Sequence, residues 1–144
     1  MTAFFSPHSD APPYCVSVKP ISFLRQSEMV DEDHVHSLAS TIERTDGWTT
    51  PIPVEAGAGI VMDGNHRLRA AMMLGLRYVP CIVLDYLDPR VRVTHWRTNA
   101  PFCVASIGRR ILHDKGLFPY KTTRHSFAPT LPRTEIPLRL LVAG

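Results

Sequence analysis

Gly59-Ile60-Val61-Met62-Asp63-Gly64-Asn65-His66-Arg67-Leu68-Arg69-Ala70-Ala71-Met72-Met73-Leu74-Gly75-Leu76 sets a short apolar run, a tight polar turn and a longer apolar run back to back. The first run, Ile60 to Met62, predicts a strand in the middle of the fold, and Leu68 to Leu74 predicts a helix. Gly75 falls where a helix end favours a residue tolerant of positive φ. A strand feeding a helix through a glycine turn presents unpaired backbone N–H groups at the helix start. That end attracts anions, phosphate above all. Arg67 and Arg69 add permanent charge, Asp63 offers a carboxylate, and His66 can donate or accept a proton. The same spacing also admits a plainer arrangement, with Asp63 or Asn65 capping the helix and the arginines solvated.

Working outward, 144 residues with 44% hydrophobic content and a mean hydropathy of −0.04 predict one domain with a real core. The net charge of +3 hides an imbalance of 13 Arg against 3 Lys. Guanidinium forks suit phosphate and carboxylate groups, so this balance fits nucleic acid and phosphorylated small molecules equally well. Cys15, Cys81 and Cys103 are odd in number and far apart, with no Cys-x-x-Cys pair, which argues against a zinc site or a disulfide framework. No stretch approaches 18 apolar residues and no secretory signal is visible, so a cytoplasmic protein without membrane association is expected.

Along the chain, residues 1–14 read as a flexible leader, and residues 15–144 as a single domain. Cys15 to Val18 alternates like a strand that Pro20 ends. Phe23 to Asp31 is a connector carrying Glu28 between apolar residues. Asp31 is the expected N-cap of a helix to about Arg44, with Val35, Leu38, Ala39 and Ile42 facing inward and His34 and His36 facing water. Pro51 to Glu55 predicts an edge strand, because proline cannot donate to a ladder. Gly57-Ala58-Gly59 predicts a hairpin turn, Val79 to Tyr86 a buried strand, and Val91 to Trp96 an alternating one. Residues 101–115 read as a helix with Pro101 near its start and Gly116 just past its end. In Lys121-Thr122-Thr123-Arg124-His125 every side chain can bind phosphate oxygen, although a disordered basic loop has the same composition. Ile136 to Val142 is the expected last strand, closing the sheet. Together these elements predict an α+β fold, a small mixed sheet with two to three packed helices.

The order Asp63-Gly64-Asn65-His66-Arg67, Leu74-Gly75-Leu76 and Val79-Pro80-Cys81-Ile82-Val83 resembles the ParB/sulfiredoxin-like superfamily. Within it the chain is most similar to the free-serine kinases, small-molecule kinases with an Asp-Gly-His-His-Arg turn. The likeness continues through Val93-Thr94-His95-Trp96-Arg97 and Lys121 to His125. It reaches back to Leu24-Arg25-Gln26-Ser27-Glu28, where that family has Leu-x-Pro-His-Glu. Asn65 stands where the family has its first histidine, and Gln26 and Ser27 replace its Pro-His. The resemblance spans about residues 15–142.

It implies phosphoryl transfer from ATP or ADP, with Mg²⁺, to the hydroxyl of free L-serine or a related hydroxy amino acid. On that likeness Glu28 is the general base and Asp63 is also needed for the chemistry. Gly64, Asn65, His66 and Arg67 would hold nucleotide phosphates. Trp96 would lie near the amino acid, and Lys121, Thr122, Thr123, Arg124 and His125 would bind the phosphate in transfer. The residues alone name no metal ligand. The alternative is a ParB-like nucleotide- and DNA-binding regulatory module without turnover. It draws on the Gly-x-x-Arg-x-x-Ala pattern from Gly64 to Ala70, but no helix-turn-helix segment is expected in the remaining length, so nucleic acid is not the expected partner. A sulfiredoxin-type reductase would need a cysteine in the phosphate turn, where Asn65 stands.

Overall fold

A computed structural model describes residues 14–142. The expected leader lies outside the described residues except for Tyr14, whose hydroxyl donates to Pro129 O at 2.7 Å. β1 (Ser17–Pro20) leads through a single 3-10 turn into the Glu28 connector and then α1 (Glu32–Thr45). Asp31 caps α1 as expected, its carboxylate accepting from the N–H groups of Asp33 and His34. Val35 and Ala39 are buried, while His34 and His36 are exposed. At the far end Asp46 takes a left-handed conformation (φ 54°) and turns the chain into β2 (Gly47–Trp48).

β3 (Ile52–Glu55) lies at one edge of a three-stranded sheet of order β1–β4–β3, where β4 is Tyr78–Leu84. β4 is antiparallel to β1 and parallel to β3, with Ile52 opposite Cys81. The sheet's middle strand is therefore β4, and not the Ile60–Met62 run. That run makes only single ladder contacts, Ile60 with Arg25 and Val61 with Val54. Met62 N–H donates to Pro53 O at 2.9 Å. The return bond would need an N–H that Pro53 lacks, and the chain turns away at Asp63.

α2 (Asn65–Met73) packs against α1 and ends as the glycine predicts: Gly75 has φ 72°, and Leu76 N–H reaches back to Ala71 O at 3.0 Å. Trp48, Ile52, Val54, Val61, Leu68 and Val79 meet in the main core between this helix and the sheet.

β5 (Val91–His95) pairs antiparallel with β6 (Thr123–Phe127). The Lys121–His125 segment is thus half strand, anchored by its ladder, rather than a free loop. The helix expected over 101–115 is shorter: α3 spans Val104–Gly108 and widens into a π-type turn over Arg109–His113. Pro101 instead pairs with Thr94, and Lys115 rather than Gly116 takes the left-handed conformation (φ 54°). Of the expected last strand, only β7 (Ile136–Pro137) pairs, with β2, and Arg139–Val142 coils as α4. Leu138 and Leu141 both turn to the main core, a spacing of three that suits a helical turn and not a strand.

Candidate active site

The start of α2 is left open. Gly64, its N-cap, has φ 107°, and no side chain caps the helix. Its first-turn N–H groups therefore have no capping side chain, and that end carries partial positive charge. A Cβ at Gly64 would stand 2.9 Å from the Arg67 guanidinium. Asp63 does not cap the helix; its carboxylate is exposed and reaches Arg67 Nη2 at 3.8 Å.

The three residues after Gly64 are engaged with protein. Asn65 Oδ1 accepts from Ser27 N–H at 2.7 Å and from Glu28 N–H at 3.4 Å, and its Nδ2 donates to Ser27 Oγ at 3.1 Å. His66 Nε2 accepts from Asp31 N–H at 3.0 Å, which places its own proton on Nδ1. Burial and then the neighbouring His34, ring centroids 4.3 Å apart, hold its pKa below the usual histidine value, against the pull of nearby carboxylates. The imidazole is neutral at pH 7. Arg67 Nη1 donates to Thr50 O and Pro51 O at 3.0 and 2.8 Å. Burial lowers its pKa, opposed by Asp63. Arg67 and the Asn65 side chain thus tie α2 to its neighbours.

Glu28 sits on a connector pinned on two sides. Met29 N–H donates to Phe118 O, Phe118 N–H donates to Ser27 O, and the Glu28 carboxylate accepts from Thr123 N–H and Thr123 Oγ1 at 2.9 and 2.6 Å. Facing it, Arg124 stacks on Trp96, with Cζ 3.9 Å from the ring centroid, and Lys121 Nζ lies 5.4 Å from the same ring. Neither cation is in an ion pair among the described residues. His125 donates to or accepts from Tyr86 OH at 3.0 Å, and burial pushes its pKa down to about 4. Burial likewise raises the Tyr86 pKa.

These groups line one cleft of about 610 Å³. Of the expected site residues, Glu28, Asp63, Gly64, Asn65, His66, Arg67, Trp96, Lys121, Thr123, Arg124 and His125 all border it. Thr122 does not: its hydroxyl donates to Pro119 O at 2.6 Å, within its own turn. Met29, His34, Leu38, Thr50, Met62 and Tyr120 also border the cleft, beyond the residues expected from the sequence. Tyr120 had a sequence signal, lying beside Lys121. For His34 the helical stripe pointed only to solvent. For Mg²⁺ the donor chemistry fits an ion held mainly by ligand phosphates: Asp63 is exposed at the turn, and the described residues contain no cluster of three or more His, Cys, Asp or Glu. Magnesium commonly takes one or two carboxylates and completes its shell with phosphate and water.

The ParB N-terminal domain profile matches residues 15–99. A "ParB-like protein" of Sulfolobus acidocaldarius is 39% identical over 61 residues, 42% of this chain and 31% of that one. An "ATP-dependent L-serine kinase" of Desulfurococcus mucosus is 29% identical over 94 residues, 62% of this chain and 36% of that one. The chain thus spans about a third of the length of these curated relatives. Among solved structures, a free serine kinase in complex with AMP superposes with a TM-score of 0.78, covering 94% of this chain and 98% of that one. At 11% identity that likeness speaks for a shared fold.

Proposed function

The chain belongs to the ParB N-terminal domain family, and we propose that it is a small-molecule kinase. It transfers a phosphoryl group from ATP or ADP to the hydroxyl of free L-serine or a related hydroxy amino acid. The observation that carries this reading is the meeting, in one cleft, of an uncapped helix start, two cations in no ion pair among the described residues and a fixed carboxylate. Phosphoryl transfer asks of a protein mainly alignment and charge neutralisation.

In this reading the donor phosphates rest on the first-turn amides of α2. Lys121 and Arg124 offset the charge on the oxygens in transfer. Asp63, exposed at the turn, would help hold Mg²⁺, which would supply charge neutralisation on the donor phosphates. Thr123 holds the Glu28 carboxylate by one oxygen, which leaves the other for the acceptor hydroxyl. As the hydroxyl oxygen bonds to phosphorus, the bond from phosphorus to the departing nucleotide oxygen breaks and Glu28 takes the hydroxyl proton. Trp96, with its flanking cations, forms the wall on the acceptor side.

The test is incubation with ATP or ADP, Mg²⁺ and a panel of hydroxy amino acids, with phosphorylated product followed by mass spectrometry. Turnover with serine or a near relative is expected, and Glu28→Ala and Asp63→Ala should each lose at least about 100-fold of it. Tight, salt-sensitive duplex binding with no product would sink the kinase reading in favour of a nucleic-acid module.

A further inference from the structure

We infer that Asn65 is a positioning residue for Glu28 and not a side-chain ligand of the donor phosphates; the inference rests on the kinase reading of this cleft. Asn65 is the first residue of α2, yet its side chain turns away from the open helix end toward the connector. Its carbonyl oxygen is occupied by two backbone N–H groups, those of Ser27 and Glu28. Its amide nitrogen donates one hydrogen bond to Ser27 Oγ, which in turn donates to Val61 O at 2.7 Å. Ser27 is 6% exposed, so its own N–H and hydroxyl have no ready substitute in water. The chain direction at Glu28 is fixed further by Gln26 Nε2, which donates to Glu28 O at 2.8 Å. The phosphate-holding turn and the proton acceptor are thereby joined through one amide across 38 positions of sequence. A change in the start of α2 moves the carboxylate with it.

A side chain that holds a reacting group in place acts on the rate of chemistry and not on nucleotide affinity, and a displacement of about 1 Å is worth about 100-fold. Asn65→Ala should therefore lower kcat about 30- to 100-fold while the AMP dissociation constant stays within twofold. Combined with Glu28→Ala it should lower kcat no further. A spectroscopic signature is independent of turnover: Thr123 N–H is bound to the Glu28 carboxylate, so its amide resonance and exchange rate in Asn65→Ala should move toward those of Glu28→Ala. Ser27→Ala, which keeps the backbone bond, is the milder variant should Asn65→Ala fold poorly, and is expected to cost about 3- to 10-fold in kcat with the same Thr123 signature in part. The inference is overturned if Asn65→Ala weakens AMP tenfold or more and leaves the Thr123 amide unchanged. If the wild type turns over no hydroxy amino acid, the kinase reading falls, whereas the Thr123 resonance still decides whether Asn65 holds Glu28.

Discussion

Gly64→Ala tests the geometry of the helix start. At φ 107° an L-residue is strained by about 1–3 kcal/mol. The added Cβ would also stand 2.9 Å from Cζ and Nη2 of Arg67. A guanidinium on a flexible arm could normally swing aside, but this one donates to Thr50 O and Pro51 O from a mostly buried position. Losing one such charge-assisted bond costs about 1.5–3 kcal/mol. The two terms give about 2.5–6 kcal/mol. For a domain of this size that is a fall in Tm of roughly 10 °C or more, at about 3–4 °C per kcal/mol. Gly75→Ala is the matched control: φ is 72°, but nothing lies within 4 Å of the new Cβ, so only strain of about 1 kcal/mol is expected. Urea unfolding of both variants at equal m-value measures the difference. Equal destabilisation by the two substitutions would refute the claim that Arg67 is locked against this turn.

His125 predicts a pH dependence: its folded pKa, about 4, lies below its ordinary value of 6.5, so its contribution to stability is whole above pH 6.5 and is lost as pH falls toward 4. Urea unfolding at pH 7, 5.5 and 4.5 should show a loss of at most about 3 kcal/mol that His125→Gln lacks, and an NMR titration should find the ring neutral at pH 5. On the kinase reading, Arg124→Ala removes a cleft charge meant for phosphate as well as the stack on Trp96, so the donor KM should rise about 10- to 100-fold in steady-state assays. Thr122→Ala, its hydroxyl turned to Pro119 O, should move the same constant less than about threefold, since one neutral exposed hydrogen bond is at stake.

Where the sequence misleads, the missing information is long-range. Ile60 to Met62 has strand-like composition, but its pairing depends on what Pro53, nine residues earlier than Met62, can donate. Leu138 to Val142 alternates poorly enough to suit either a strand or a helical turn, and burial of Leu141 against the core decides it. His34 lies off the buried stripe of α1, as the periodicity requires. Even so, its ring borders the cleft, because Asp31 brings the start of α1 to His66.

What the chain's order of residues determines alone is what a few neighbours can settle. Examples are the Asp31 cap, the Val35–Ala39 stripe, the Gly75 stop and the apolar run of β4. Each depends on hydrogen bonds or periodicity within about one or two turns. Tertiary structure alone decides which polar side chains are free for a ligand. Asn65 and Arg67 look like phosphate ligands in the sequence, and the fold gives them protein partners as well, Ser27 for one and Thr50 and Pro51 for the other, 38, 17 and 16 positions away. Glu28 meets Thr123 across 95 positions. A side chain's availability depends on partners that only the folded chain brings within hydrogen-bond distance, and no local pattern encodes them.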